Sequence, residues 1–201
     1  MSVVSSVDVG TRKLTALTFD DGPSPNTERI LDLLGPRGAR ATFFVCGHSI
    51  SDHAETLLRT VRKGHEVGNH TWSHRRPDDL SDDDLQREIA ATSDEIERVA
   101  GVRPVLMRPP YGRDAERVAR IAAPLGLAPT VLWTVDPEDW AETPAEEIVR
   151  IVVSEIHPGA IVDLHDGRRG RAPTIEAVAQ VLGDLPDYRF VTVSELLATG
   201  R

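Results

Sequence analysis

The sequence has one cysteine, Cys46, so no disulfide can form within the chain. Its setting, Phe43-Phe44-Val45-Cys46, reads as buried strand, where a free thiol acts as a small apolar residue. Positive charge is also in short supply: 23 Lys and Arg stand against 32 Asp and Glu, a net charge of −9. That balance leaves no basic field to follow a phosphate backbone, so nucleic acid is excluded as an expected partner and neutral or cationic ligands are favoured. No apolar run approaches the ~20 residues that a membrane span requires. Residues 1–11 lack the basic start and apolar run of a secretory signal, which leads to the expectation of a cytoplasmic protein or a trimmed secreted domain. Linkers, repeats and low-complexity stretches are missing as well. What remains is 201 residues, 40% hydrophobic and 27% charged, a globular composition expected to form one domain over residues 1–201.

Apolar runs rich in β-branched or aromatic residues fall at 14–19, 41–45, 66–69, 105–108, 129–135, 160–164 and 189–193, which predicts seven short strands. Between them, helical periodicity covers 27–34, 54–62, 82–99, 115–123, 145–156 and 175–182, with a last short helix from Glu195. The third helix has the clearest start, with Ser81 as N-cap and Asp82, Asp83 and Asp84 in the first turn, where the helix dipole favours negative charge. Strand and helix alternate throughout. This calls for parallel strands with helices packed outside: a barrel one unit short of eight, or a doubly wound open sheet.

In such folds catalytic groups gather where strands end, and here polar clusters end five of the predicted strands. The first is Thr18-Phe19-Asp20-Asp21-Gly22-Pro23. Adjacent carboxylates on an extended chain point apart, so one can serve a metal and the other face a substrate water, although Asp, Gly and Pro also make ordinary turns. The third strand runs into His70-Thr71-Trp72-Ser73-His74. Two imidazoles four residues apart fall on one side of a helical turn and can chelate one ion, though such pairs also arise by chance.

Arg108-Pro109-Pro110-Tyr111-Gly112 follows the fourth strand. Two prolines stiffen it and remove two N–H groups, so the Tyr111 amide is the first donor available to an oxyanion, unless this is only a stiff loop. Arg108 could clamp a carboxylate, with Asp20 the obvious partner. Asp136-Pro137-Glu138-Asp139-Trp140 pairs acids with a flat ring suited to stacking on a sugar or to core packing. In Asp163-Leu164-His165-Asp166, a histidine beside carboxylates suits protonation of a leaving amine, and equally a structural role.

Taken in order, these five motifs closely resemble those of the polysaccharide deacetylases of carbohydrate esterase family 4, whose catalytic unit is the NodB homology domain. The resemblance spans Thr18 to Asp166 in motifs and nearly the whole chain in its strands and helices. It implies an α/β fold, a distorted and incomplete (β/α)7 TIM-like barrel. It further implies that Asp20 is the base, that Asp21, His70 and His74 bind zinc or a similar ion, and that Arg108 orients Asp20. The Tyr111 amide would face the oxyanion, His165 paired with Asp139 would be the acid, and Trp140 and Leu164 would line the groove and acetyl-methyl pocket. Asp163 departs from a mostly apolar motif position; strand alternation turns it away from Leu164, towards a supporting or barrel-wall role.

The implied activity is metal-dependent removal of N-acetyl groups from N-acetylated carbohydrate. Cobalt, nickel and manganese suit two histidines and a carboxylate as well as zinc does. Two rivals stand beside it: hydrolysis of O-acetyl esters or of a small N-acetylated glycoside, and a non-catalytic carbohydrate-binding protein. An intact base and acid argue against the last, because a pure binder has no use for them.

Overall fold

A computed structural model describes residues 2–200; Met1 and Arg201, the ends of the expected 1–201 domain, lie outside the described residues. Its strands are β1 (Val3–Val4), β2 (Leu14–Asp20), β3 (Ala41–Val45), β4 (Glu66–Asn69), β5 (Thr130–Val131), β6 (Ile161–His165) and β7 (Arg189–Phe190). The α-helices are α1 (Pro25–Leu34), α2 (Gly47–Ile50), α3 (Ala54–Arg62), α4 (Asp82–Ala100), α5 (Ala115–Ala122), α6 (Ala145–Glu155), α7 (Ala172–Asp184) and α8 (Val193–Ala198).

All seven residues of β2 are buried, as befits a parallel strand covered on both faces. It pairs in parallel with β3, β6 and β7, and β4 extends the sheet beyond β3. Alternation along β2 divides its side chains. Leu17 and Phe19 pack outward with Ile30 and Leu31 of α1, and the Phe19 and Phe43 rings stack at 5.1 Å. Ala16 and Leu14 pack with Phe44 and Ile161 in an inner cluster. Asp20 ends the inward row and is the register partner of His165 on β6 and Phe44 on β3.

The strands curve into an incomplete barrel rather than an open sheet. Met107 bridges Asn69 on one side and Thr130 on the other, and Val135 bridges Val162 of β6. These single bridges stand where regular ladders would close a barrel, so the wall from β4 round to β6 is distorted. The expected strand at 105–108 is reduced to Met107, since Pro104 and Pro109 flank it and can donate no ladder hydrogen bond. The expected strand at 129–135 shrinks to β5, and that at 189–193 to β7. Thr192 instead caps α8, accepting from the Glu195 amide while Glu195 returns a bond to the Thr192 N–H. β1, unforeseen because it is two residues long, pairs with β5. No helix among the described residues is long and apolar enough to cross a membrane.

Candidate active site

The strand ends converge on a groove of about 420 Å³ lined by residues from all five motifs. Asp20 enters it as the inward residue of β2. Asp21 reaches the same groove because its backbone turns left-handed at φ +75°, which breaks the strand alternation. Gly167 makes room for that turn: a Cβ there would lie 2.4 Å from the Asp21 carbonyl oxygen.

His70 is buried, and its Nδ1 lies 2.8 Å from the Arg108 carbonyl oxygen, which assigns the proton to Nδ1 and leaves the Nε2 lone pair free. That Nε2 lies 3.7 Å from Asp21 Oδ1, and His74 Nε2 lies 3.0 Å from the same oxygen. Contrary to the expectation from sequence, residues 70–74 are not a helical turn. They form a loop with left-handed backbone at Thr71 (φ +65°) and His74 (φ +56°). The Asn69 side chain fixes this loop, accepting from the Thr71 amide and donating to the Ile89 carbonyl and Ser93 hydroxyl of α4.

Asp21, His70 and His74 each offer a ligand atom within 4.8 Å of the others. Asp21 Oδ1 is buried without a hydrogen-bond partner, its 3.0 Å approach to His74 being poorly aligned for one. Burial pushes the Asp21 pKa up, but the His74 contact and the neighbouring His70, His74 and His165 rings more than reverse it, holding the carboxyl well below its usual range. An ionised carboxylate and imidazole lone pairs converging in a buried site form a donor set that fits a divalent metal. Asp20, Asp163 and His165 make a second trio of equal closeness, but a protein cation already occupies it.

That cation is Arg108, fully buried in the barrel. Its Nη1 donates to Asp20 Oδ1 (2.9 Å), Asp163 Oδ1 (2.6 Å) and Thr18 Oγ1 (2.7 Å). The guanidinium lies between the Phe44 ring, 4.3 Å away, and Trp133, 5.3 Å away. Burial first, and then the charge of Asp20, push Asp163 well above the usual carboxylate range. Arg108 thus joins two buried carboxyl groups, and of these burial favours the protonated form of Asp163.

On β6, His165 Nδ1–H donates to Asp139 Oδ1 at 2.7 Å, and its amide to Asp139 Oδ2 at 3.0 Å. Thr174 on α7 donates to that second oxygen, and Arg171 donates to the Asp139 carbonyl. Burial works to lower the His165 pKa, but the Asp139 hydrogen bond and the surrounding acidic groups outweigh it, pushing it up to about 10. The ring is thus an imidazolium near neutrality, with Nε2–H as its unengaged donor.

Tyr111 lies on the rim, left-handed at φ +60°, its ring edge-on to His74 at 4.7 Å. Trp140 lines the groove and is 55% exposed, which rules out core packing. Leu164 corrects the expectation from sequence: its side chain is buried with Phe19 and Val178, between sheet and helices. The reason is strand alternation, since Asp163 and His165 on either side both face the groove. The same alternation gives Asp163 its expected inward place. Trp133, Glu142, Arg168, Arg169 and Arg171 line the groove without having been anticipated. For the arginines a signal existed: Arg168-Arg169-Gly170-Arg171 is a basic run in an acidic chain, directly after the fifth motif.

Comparison with known proteins agrees with this geometry. The family model described as polysaccharide deacetylase matches residues 8–130. A peptidoglycan-N-acetylglucosamine deacetylase of Bacillus cereus is 42% identical over 190 residues, covering 92% of this chain and 88% of that protein. The peptidoglycan-N-acetylmuramic acid deacetylase PdaC of Bacillus subtilis is 41% identical over 186 residues; the match covers 92% of this chain but spans only 39% of PdaC. A solved structure of PdaC superimposes with a TM-score of 0.84 at 39% identity, covering 96% of this chain and 93% of that one. The chain belongs to the polysaccharide deacetylase family.

Proposed function

We propose that this chain is a divalent-metal-dependent hydrolase that removes N-acetyl groups from N-acetylglucosamine-type sugars, releasing acetate and a free amine. One observation carries the reading. Asp20, held by Arg108, and His165, held by Asp139, face one groove together with the Asp21, His70 and His74 donor set. The names of the relatives, deacetylases of N-acetylglucosamine or N-acetylmuramic acid in peptidoglycan, support the same substrate class. The catalytic domain takes in all the described residues.

Asp21, His70 and His74 would hold the ion, with zinc the first choice for two imidazoles and a carboxylate. Bound there, it would supply Lewis-acid polarisation of the acetyl carbonyl and acidify the attacking water. Asp20 accepts the proton of that water, and Arg108 keeps its carboxylate aimed. Attack on the acetyl carbon generates a tetrahedral oxyanion, which the Tyr111 amide N–H meets; such a donor is commonly worth about 3 kcal/mol. His165 then delivers its Nε2 proton to the sugar nitrogen as the C–N bond breaks, so the amine departs neutral. Trp140 offers the sugar ring a stacking face.

Acetate release from chitooligosaccharides by zinc-reconstituted protein, with chelated protein as control, tests the reading. Release that depends on zinc is the expected result. Silence towards both chitooligosaccharides and peptidoglycan, in protein holding one zinc, would count against it.

A further inference from the structure

Beside the catalytic groove lies a second one of about 500 Å³. The two share Asp21, His74, Arg168 and Arg169, so they adjoin at the metal-donor set. Their electrostatics differ. The catalytic groove carries Asp20, Asp136, Asp139, Glu142 and Asp163 in its walls. In the second, Asp21 is the one carboxylate among the described lining residues, and its charge is matched by the cation its site fits.

Besides Asp21, His74 and three serines, the polar residues of the second groove are Arg168, Arg169, His48 and His53. His48 is fixed by its Nδ1 contact of 2.8 Å with the Trp72 carbonyl oxygen. Glu88, the acid behind Ser73, is engaged by the amide and hydroxyl of that serine. Arg168 Nε is 3.6 Å from Asp21 Oδ2, beyond hydrogen-bond range, and its side chain is 64% exposed. Among the described residues no carboxylate pairs with Arg169. Arg169, without a carboxylate partner, and Arg168, whose one partner Asp21 belongs to the metal-donor set, together form a receptor for an anion with paired oxygens.

We infer that this groove is a subsite for an anionic group, carboxylate or phosphate ester, on a sugar next to the one being deacetylated, with Arg168 and Arg169 as its specificity-determining residues. The inference rests on the N-deacetylase reading and narrows its substrates to charged N-acetylated glycans. Neutral chitin oligomers would fill the catalytic groove and leave the arginines unused.

Calorimetric binding to the full zinc-loaded chain tests it. The probes are an N-acetylglucosamine–N-acetylmuramic acid tetrasaccharide, the same glycan with its carboxylates converted to methyl amides, chitotetraose, and chitotetraose 6-phosphate. A charged glycan is expected to bind at least about tenfold tighter than its neutral counterpart at low salt. Arg169→Gln and the double variant Arg168→Gln/Arg169→Gln should abolish that difference, and Arg169→Lys should retain part of it. Whichever charged glycan binds tighter identifies the anion. Equal binding of charged and neutral glycans, or a preference untouched by the double variant, would overturn the inference. Acetate release in the same samples separates the two readings: release without charge preference sinks only the subsite, and charge-dependent binding without release from any glycan sinks only the deacetylase.

Discussion

Two ionic clusters share the floor of the groove, and they solve the problem of buried charge in opposite ways. Around Asp20 and Asp163 the protein supplies its own cation, Arg108, which bonds both carboxyls, while burial favours the protonated form of Asp163. Around Asp21 its partners are two imidazoles and, at 3.6 Å, the exposed Arg168, and Asp21 Oδ1 is left buried without a hydrogen-bond partner. Buried acceptors without a donor are costly, so this second cluster is built around a charge the chain does not encode. The difference separates a carboxylate that handles protons from one that binds an ion, although the two residues are neighbours in sequence.

The largest expected effects come from breaking that division of labour. Asp20→Asn keeps the shape of the side chain and removes its capacity to take a proton, so acetate release should fall by about 10²–10⁴-fold while the fold is unchanged. Steady-state kinetics beside a circular-dichroism melt checks both halves. Arg108→Met removes the built-in cation. A buried Asp20 left unpaired should cost about 3–5 kcal/mol in urea unfolding, and an undiminished midpoint would contradict the charge-balance argument.

A smaller effect is expected at His165, where a second carboxylate, Asp139, tunes rather than neutralises. Asp139→Asn removes the group that orients the ring and holds its pKa up, and should lower turnover by about 10–100-fold with a fall on the alkaline side that begins at lower pH. The sign follows from the folded pKa lying above the ordinary imidazole value of 6.5, at about 10. The stability that His165 contributes is full below about pH 6.5 and is lost as pH rises through 10. Thermal melts of the metal-free chain between pH 6 and 10 should show that loss in wild type and little of it in the variant. Smallest of all, Asp163→Asn replaces a carboxyl whose protonated form burial favours with a neutral group of the same shape, and unfolding free energy should move by less than about 1 kcal/mol. A change as large as that of Arg108→Met would place the charge on Asp163 instead.

The same contrast explains what could be read from sequence. Motifs at strand ends located Asp20, Asp21, His70, His74, Arg108, Asp139 and His165, because alternation of strand and helix fixes where loops collect. Strand lengths were less legible: 105–108 and 129–135 have strand composition, but flanking prolines and barrel distortion leave a bridge at Met107 and two residues of β5. The histidine spacing suggested a helical turn, whereas left-handed residues Thr71 and His74, held by Asn69, do the positioning; neither residue type announces a positive φ. Leu164 was misplaced although period-two alternation, applied from Asp163 through His165, would have turned it away from the groove. Arg168 and Arg169 lie outside the motifs, and only their charge in an acidic chain marks them.

The central claim is that neighbouring carboxylates divide two tasks, Asp21 binding the ion and Asp20 moving the proton. Zinc content after dialysis, measured side by side on Asp20→Asn and His70→Ala, tests it most directly. The account predicts about one equivalent in Asp20→Asn, because Arg108 and not the metal balances that residue, and almost none in His70→Ala. Loss of zinc from Asp20→Asn, or full retention in His70→Ala, would contradict it.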